Sequence, residues 1–423
     1  MKSELWGLND TYGVQAQKAW LATRGNPEIV VAVLDTGSTE HPDLVGQTVP
    51  GYDMIINSGI AGDGDGRDSD PSDQGDWEDG CGQANSELCS SWHGTHVAGI
   101  INALGNNSRG VIGIAPNVKV QHVRVLGRDG GSDSDIVAAI TWASGGLVGS
   151  LPLNPTPARV INLSLGGEGV CPQQYQTAIN GANSRGTVIV VAAGNSSVPA
   201  STFAPANCDG VITVAASNRY GQKTSFTNDG PAVDIAAPGE DIVSTMNDGD
   251  TGVGLPTYDL KTGTSMAAPY VAGVVALMLS IESSLTPADI EARIKNQSNQ
   301  TFLVQGVWGI INAARLLGVP EIPQSPTNVV AIRSGPATIT TTRTVSWSAA
   351  TSGSVATTHI ARAYLRPSGD SPVMWCSTAN LACDLSNLVK GATYYLDVIS
   401  GNTGGYSAPS GPRLAINTKG TVA

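Results

Sequence analysis

Residues 29–34, Ile-Val-Val-Ala-Val-Leu, are apolar without a break and end at Asp35-Thr36-Gly37. A continuous apolar run fits a strand buried on both faces, as in parallel sheets. Similar runs recur at 118–125, 160–163, 188–192 and 211–215. Between them, 134–143 and 174–183 have helical spacing. Strand alternating with helix over residues 1–318 predicts an α/β domain with a mostly parallel central sheet. Ligands in such folds bind beyond the carboxyl ends of the strands, where Asp35 and Asn195 both fall.

The pattern changes after Leu317-Gly318. Pro320, Pro323 and Pro326 punctuate a linker over 319–325. Short β-rich runs at 328–332, 343–347, 359–365, 374–377 and 392–399 then alternate with turns, which predicts a small antiparallel β-sandwich over 326–418 and a tail at 419–423. Two domains also suit the length of 423 residues, since one core rarely grows beyond about 250–300.

Charged residues are only 14% of the chain, and Gly (51 residues) and small polar residues fill the gap. That mix is common in exported proteins. The net charge of −12 leaves no basic footprint, which excludes a general nucleic-acid partner. Six Cys occur as three close pairs, Cys81 with Cys89, Cys171 with Cys208 and Cys376 with Cys383. No Cys-x-x-Cys is present, so disulfides of an oxidising compartment fit better than zinc, although fifteen connectivities stay open. The apolar run at 271–279 is too short for a membrane span. Met1-Lys2-Ser3-Glu4 has no apolar stretch behind it, so an exported protein would be represented here by its mature form.

Three stretches carry candidate chemistry. Gly263-Thr264-Ser265-Met266-Ala267-Ala268-Pro269 leads into an apolar helical pattern and puts Ser265 at a helix N-terminus. Free backbone N–H groups there suit a developing oxyanion; the plainer reading is a Ser cap. His93-Gly94-Thr95-His96-Val97-Ala98-Gly99 opens a second helix, with His93 suited to general-base work and His96 to a hydrogen-bonded place in the core. No Glu sits between these histidines as in zinc peptidases. Asp35, at a buried strand end, could orient an imidazole or merely cap its turn.

The order Asp35, His93, Ser265 is the subtilisin order. Together with His41-Pro42-Asp43-Leu44, Ser164-Leu165-Gly166-Gly167 and Ala192-Ala193-Gly194-Asn195, it makes residues 10–318 resemble the subtilisin-like serine protease family. The resemblance implies a three-layer α/β fold and a secreted, monomeric serine endopeptidase acting on protein or peptide substrates. It also implies a pro-region, which this sequence does not show. It assigns Asp35, His93 and Ser265 as the triad, Asn195 to the oxyanion and Thr264 to orienting the loop. Substrate would lie between Gly130-Gly131-Ser132 and Ser164-Leu165-Gly166. Gly166, Ala192, Ala193 and Gly194 would form a roomy, uncharged primary pocket for apolar or aromatic residues. Ala204-Pro205 falls where the family often has a cis-proline. Residues 326–418 resemble a fibronectin type III module at Pro326-Thr327-Asn328-Val329, Val345-Ser346-Trp347, 388–394 and Gly405-Tyr406-Ser407. Intact triad residues argue against the competing reading, a binding or adhesion protein on a protease-like scaffold; an esterase uses the same triad.

Between Asp63 and Asp79 lie seven Asp and one Glu against one Arg. Hard oxygen ligands at such spacing suggest calcium, with Asp63, Asp65, Asp68, Asp70 and Asp73 as ligands, against a bare solvated loop. The family resemblance implies a second calcium site at Asp43 with Asn106 from the loop 105–111. Cys81–Cys89 would stiffen the approach to His93, and Cys171–Cys208 would brace the pocket rim.

Overall fold

The computed structural model describes residues 5–81, 89–298, 303–304, 308–334, 340–350 and 354–418; the tail at 419–423 lies outside them. The chain divides into two compact units, Met1–Leu317 and Gly318–Ala423.

The first unit is built on a seven-stranded sheet. Its strands are β1 (Val30–Asp35), β2 (Thr48–Asp53), β3 (Lys119–Arg124), β4 (Val160–Leu163), β5 (Val188–Ala192), β6 (Ile212–Ser217) and β7 (Ile235–Pro238). They lie in the order β2-β3-β1-β4-β5-β6-β7, every pair parallel. Every residue of β1, β4, β5, β6 and β7 is buried, which is why these strands read as unbroken apolar runs. An antiparallel hairpin, β8 (Ile242–Asn247) with β9 (Pro256–Lys261), follows the sheet.

Four helices bear on the site: α1 (His93–Asn102), α2 (Asp133–Ala143), α3 (Gln173–Ser184) and α4 (Thr264–Ile281). Helix α4 extends the short apolar run seen in sequence to 18 residues, long and apolar enough by length and composition to cross a membrane. All but three of its residues are buried against α1 and the strands β4 to β7, so it is the core helix of this unit.

The second unit has two antiparallel sheets. One joins β10 (Thr327–Ser334), β11 (Thr340–Ser348) and β14 (Ala382–Val389). The other joins β13 (Met374–Thr378), β12 (Thr358–Tyr364), β15 (Thr393–Asn402) and β16 (Gly405–Tyr406), with β17 (Leu414–Asn417) on β15. Val345, Trp347, Ala361, Leu385, Leu396 and Val398 form its core. The proline-punctuated segment is hydrogen-bonded to this unit: Asn402 Nδ2 donates to Glu321 O (2.8 Å) and Ser325 Oγ to Ala408 O (2.8 Å). Cys81–Cys89, Cys171–Cys208 and Cys376–Cys383 are all bonded.

Candidate active site

Asp35 ends β1 and is fully buried. Its Oδ1 accepts from the Thr36 backbone N–H (2.8 Å), and both carboxylate oxygens face His93 Nδ1 at 2.8 and 2.9 Å. A buried carboxylate so paired holds the imbalance of charge that burial would otherwise penalise. With Nδ1–H donated to Asp35, His93 Nε2 is left as the acceptor.

His93 opens α1 at an angle set by Trp92. That residue sits in the left-handed region at φ 49°, unusual for a bulky side chain. Its buried indole N–H donates to Gly249 O (2.7 Å), which fixes the turn. A second tie runs from the Gly94 N–H to Thr36 Oγ1 (3.0 Å) and from that hydroxyl to Asp73 Oδ2 (2.6 Å). Burial lifts Asp73 to about 7, against hydrogen bonds from Thr36 and Gly75 that lower it. His96 is buried and its Nε2 meets Asp259 O at 3.1 Å; burial, with Lys261 and His93 nearby, lowers it to about 3.

Ser265 stands in the first turn of α4. Its N–H belongs to the helical donors that have no partner within the helix. Pro269 lies four residues on and has no N–H to give the Ser265 carbonyl. Ser164 Oγ fills that place at 2.8 Å, and Asn162 Nδ2 in turn donates to Ser164 Oγ (2.9 Å). Ser265 Oγ donates to Ser164 O at 3.1 Å, and not to His93. Ser164 therefore grips the serine from both ends of its backbone and side chain.

Asn195 follows β5. Its Oδ1 accepts from both the N–H and the hydroxyl of Thr264, each at 2.9 Å. The buried Thr264 hydroxyl also accepts from the Gly194 N–H (3.1 Å). The acceptor end of the amide is thus clamped, and the Nδ2 donor end is turned away from Thr264 beside the serine loop. The family resemblance implies that Thr264 orients the loop, and these bonds are how it can do so.

A cleft of about 560 Å3 runs past His93. Gly130 and Gly131 line one side and Ser164, Leu165 and Gly166 the other. Ser132 was expected beside them; instead its Oγ accepts from the Asp135 N–H (3.2 Å) and caps α2. Ala192 and Ala193 are buried in the end of β5 and its exit. The expected roominess around Gly166 and Gly194 is to be weighed against a ring that packs beside both. A Cβ on Gly194 would meet Phe203 Cδ1 and Cε1 at 2.9 Å, and one on Gly166 would meet Phe203 Cε1 at 2.6 Å. The Phe203 ring packs beside both glycines, and nothing in the sequence around Gly166, Ala192, Ala193 and Gly194 points to it. Ala204-Pro205, next to it, is cis.

The acidic residues do not converge as expected. Asp63 Oδ2 pairs with the buried Arg124 (2.8 Å), which also holds Asp53 (2.8 Å). Asp73 is taken by Thr36 and Gly75. Asp70 Oδ1 accepts from the N–H and hydroxyl of Ser72 within its own turn. Asp68 Oδ1 accepts from the Asp70 N–H (2.6 Å), and the Asp68 charge raises the pKa of its neighbour Asp65. Asp43 accepts from Asn107 Nδ2 (2.6 Å), the Val111 N–H (3.1 Å) and Tyr258 Oη (2.9 Å). The loop residue that reaches Asp43 is Asn107, not Asn106. Among the described residues no group of three or more His, Cys, Asp or Glu side chains is arranged to hold a metal ion.

Comparison with known proteins agrees with this geometry. The model of the subtilase family, peptidase family S8, matches residues 26–317. An extracellular protease of Xanthomonas campestris is 51% identical over 298 residues, covering 70% of this chain and 51% of that protein. An extracellular basic protease of Dichelobacter nodosus is 44% identical over 295 residues, covering 67% of this chain and 49% of that protein. The chain therefore spans about half the length of these curated relatives. A protease structure from Pseudoalteromonas arctica superposes with a TM-score of 0.72 at 44% identity, covering 75% of this chain and 97% of that one. With a parallel seven-stranded sheet delivering Asp35 and Asn195 toward the ends of α1 and α4, and a family match over most of its length, the chain belongs to the subtilase family.

Proposed function

We propose that the chain is a secreted serine endopeptidase that cleaves peptide bonds through an acyl-enzyme on Ser265. The observation that carries this reading is the buried Asp35 pair with His93 Nδ1, which leaves Nε2 free to take a proton. Ser265 Oγ first leaves Ser164 O by rotation about χ1 and then attacks the scissile carbonyl. His93 takes its proton and returns it to the leaving amine, which separates as the acyl-enzyme forms. Water, deprotonated by His93, then releases the acid. The Ser265 N–H and Asn195 Nδ2 bind the oxyanion. Extended protein or peptide substrates fit the cleft between Gly130-Gly131 and Ser164-Leu165-Gly166 through backbone pairing. The named relatives are extracellular proteases, which supports secretion. Two antiparallel sheets with Trp347 in the core support a fibronectin type III-like module over 326–418. A monomer with a separate pro-region belongs to the same reading.

The test is hydrolysis of peptide p-nitroanilides together with stoichiometric labelling by a fluorophosphonate. Folded protein that does neither would sink the proposal. Asn195→Leu is expected to lower kcat about 10²–10³-fold with little change in KM, because its donor matters only once negative charge develops. A large rise in KM with kcat unchanged would count against that role.

Calcium is part of this proposal, held at Asp65 and Asp68. Two adjacent carboxylates repel, and a divalent ion relieves that repulsion. Chelation is expected to lower the Tm, and added calcium to restore it, by an amount that grows with its concentration over Kd. An Asp65→Asn, Asp68→Asn variant whose Tm still responds fully to calcium would place the ion elsewhere.

A further inference from the structure

We infer that Phe203 closes the primary side-chain pocket, so that this peptidase selects small uncharged residues, of alanine size, at P1. The inference rests on the endopeptidase reading and names the substrate class of that same site.

The place of the P1 side chain follows from the reacting atoms. The scissile carbonyl carbon must meet Ser265 Oγ while its oxygen lies between the Ser265 N–H and Asn195 Nδ2. The segments that flank this point are 164–166 and 194–195. Ser164 O accepts from Ser265 Oγ, and the Gly194 N–H donates to Thr264 Oγ1, so both are one residue from the chemistry. A P1 side chain directed away from solvent enters the recess between Gly166 and Gly194.

One edge of the Phe203 ring already occupies that recess. Its Cε1 lies 2.6 Å from where a Gly166 Cβ would stand, and its Cδ1 and Cε1 lie 2.9 Å from where a Gly194 Cβ would stand. The same two ring carbons stand against both walls, so a large P1 side chain entering between them would meet this ring. A Cβ on Gly166 would collide with Phe203, and one on Gly194, where φ is 100°, would collide with Asn228 Nδ2 as well as with Phe203.

The backbone that carries the ring is tied down. Glu168 and Phe203 pair in a short antiparallel ladder with Gly167 and Ala204. The Gly169 N–H donates to Thr202 O (2.8 Å), the Asn207 N–H to Phe203 O (3.0 Å) and Asn207 Nδ2 to Gly169 O (2.8 Å). The Cys171–Cys208 bridge joins the same two segments. Phe203 cannot clear the recess by a shift of its backbone, and a large P1 residue must displace a packed, half-buried ring.

The experiment compares kcat/KM for tetrapeptide p-nitroanilides that differ only at P1, with Ala, Leu and Phe. Wild type is expected to favour Ala over Phe by about tenfold or more, the scale on which a pocket rejects extra carbon. Phe203→Ala is expected to raise the Phe-to-Ala ratio by at least that factor. Peptide boronic acids with Ala or Phe at P1, measured as inhibitors of wild type, give the same comparison without relying on a variant that folds. Equal or better use of Phe by wild type, or boronates of equal potency, would overturn the inference while leaving the endopeptidase reading intact. Failure to hydrolyse any peptide, with no phosphonate labelling, would overturn the endopeptidase reading and this inference with it.

Discussion

Ser265→Ala is expected to lower kcat on a good peptide substrate by about a millionfold and to abolish fluorophosphonate labelling. The size follows from the loss of the whole covalent route. Without Oγ there is no acyl-enzyme, and His93 has no hydroxyl proton to take. What survives is binding in the cleft and two oxyanion donors acting on attack by water, worth about 10³–10⁴ over the uncatalysed rate. The fold is expected to persist. Ser265 Oγ makes one hydrogen bond, to Ser164 O, while the Ser265 carbonyl stays held by Ser164 Oγ. The variant should therefore keep its circular dichroism spectrum and its Ki for a noncovalent substrate-like peptide. A variant that stays folded and keeps more than a small fraction of wild-type kcat would show that another nucleophile does the work.

Asp35→Asn is expected to lower kcat about 10⁴-fold, with KM nearly unchanged. The carboxylate accepts from His93 Nδ1 with both oxygens and from the Thr36 N–H with one. An amide keeps one acceptor, which the Thr36 N–H claims. Its other end is a donor and turns toward His93 Nδ1. The imidazole can then hydrogen-bond only with Nδ1 bare and its proton on Nε2, the nitrogen that has to accept from Ser265. The site keeps its shape and loses its base. Steady-state kinetics and a ¹⁵N spectrum of His93 would check this: a tautomer unchanged from wild type would contradict the argument, even if activity fell.

The first unit was largely legible because its strands are buried on both faces. Strands β1, β4, β5 and β6 are unbroken apolar runs with chemically telling residues at or just beyond their ends, and each was placed within a residue or two. Asp35, His93, Ser265 and Asn195 each sit in a run of small residues where a functional side chain stands out. Strand β14 was missed, since its two buried positions, Leu385 and Leu388, lie three apart and give no alternation. The pocket misled for another reason. Gly166, Ala192, Ala193 and Gly194 read as open space, but Phe203, 37 residues beyond Gly166 and brought back by a ladder of two pairs, packs beside the two glycines. Only the three-dimensional approach of the two segments reveals that. The acidic loop shows the same limit: composition gathers Asp63 and Asp73 with their neighbours, while Arg124 and Thr36, distant in sequence, draw them apart.

On the endopeptidase reading proposed above, each molecule meets copies of itself, and that gives the Cys171–Cys208 bridge a further meaning. Between its two halves lies the mostly exposed stretch 195–202, between Asn195 and the Phe203 turn. A neighbour that severs this stretch would produce two chains that remain covalently joined. The Phe203 segment would stay alongside Glu168 through its ladder, and α4, with Ser265 and the oxyanion donor of its own backbone, would remain tethered to the half that carries Asp35 and His93. Damage of this kind is concealed from a sizing column and shows only on a reducing gel. The bridge thus keeps a molecule cut within this stretch covalently whole, which bears on its lifetime in the company of its own kind rather than on a melting temperature.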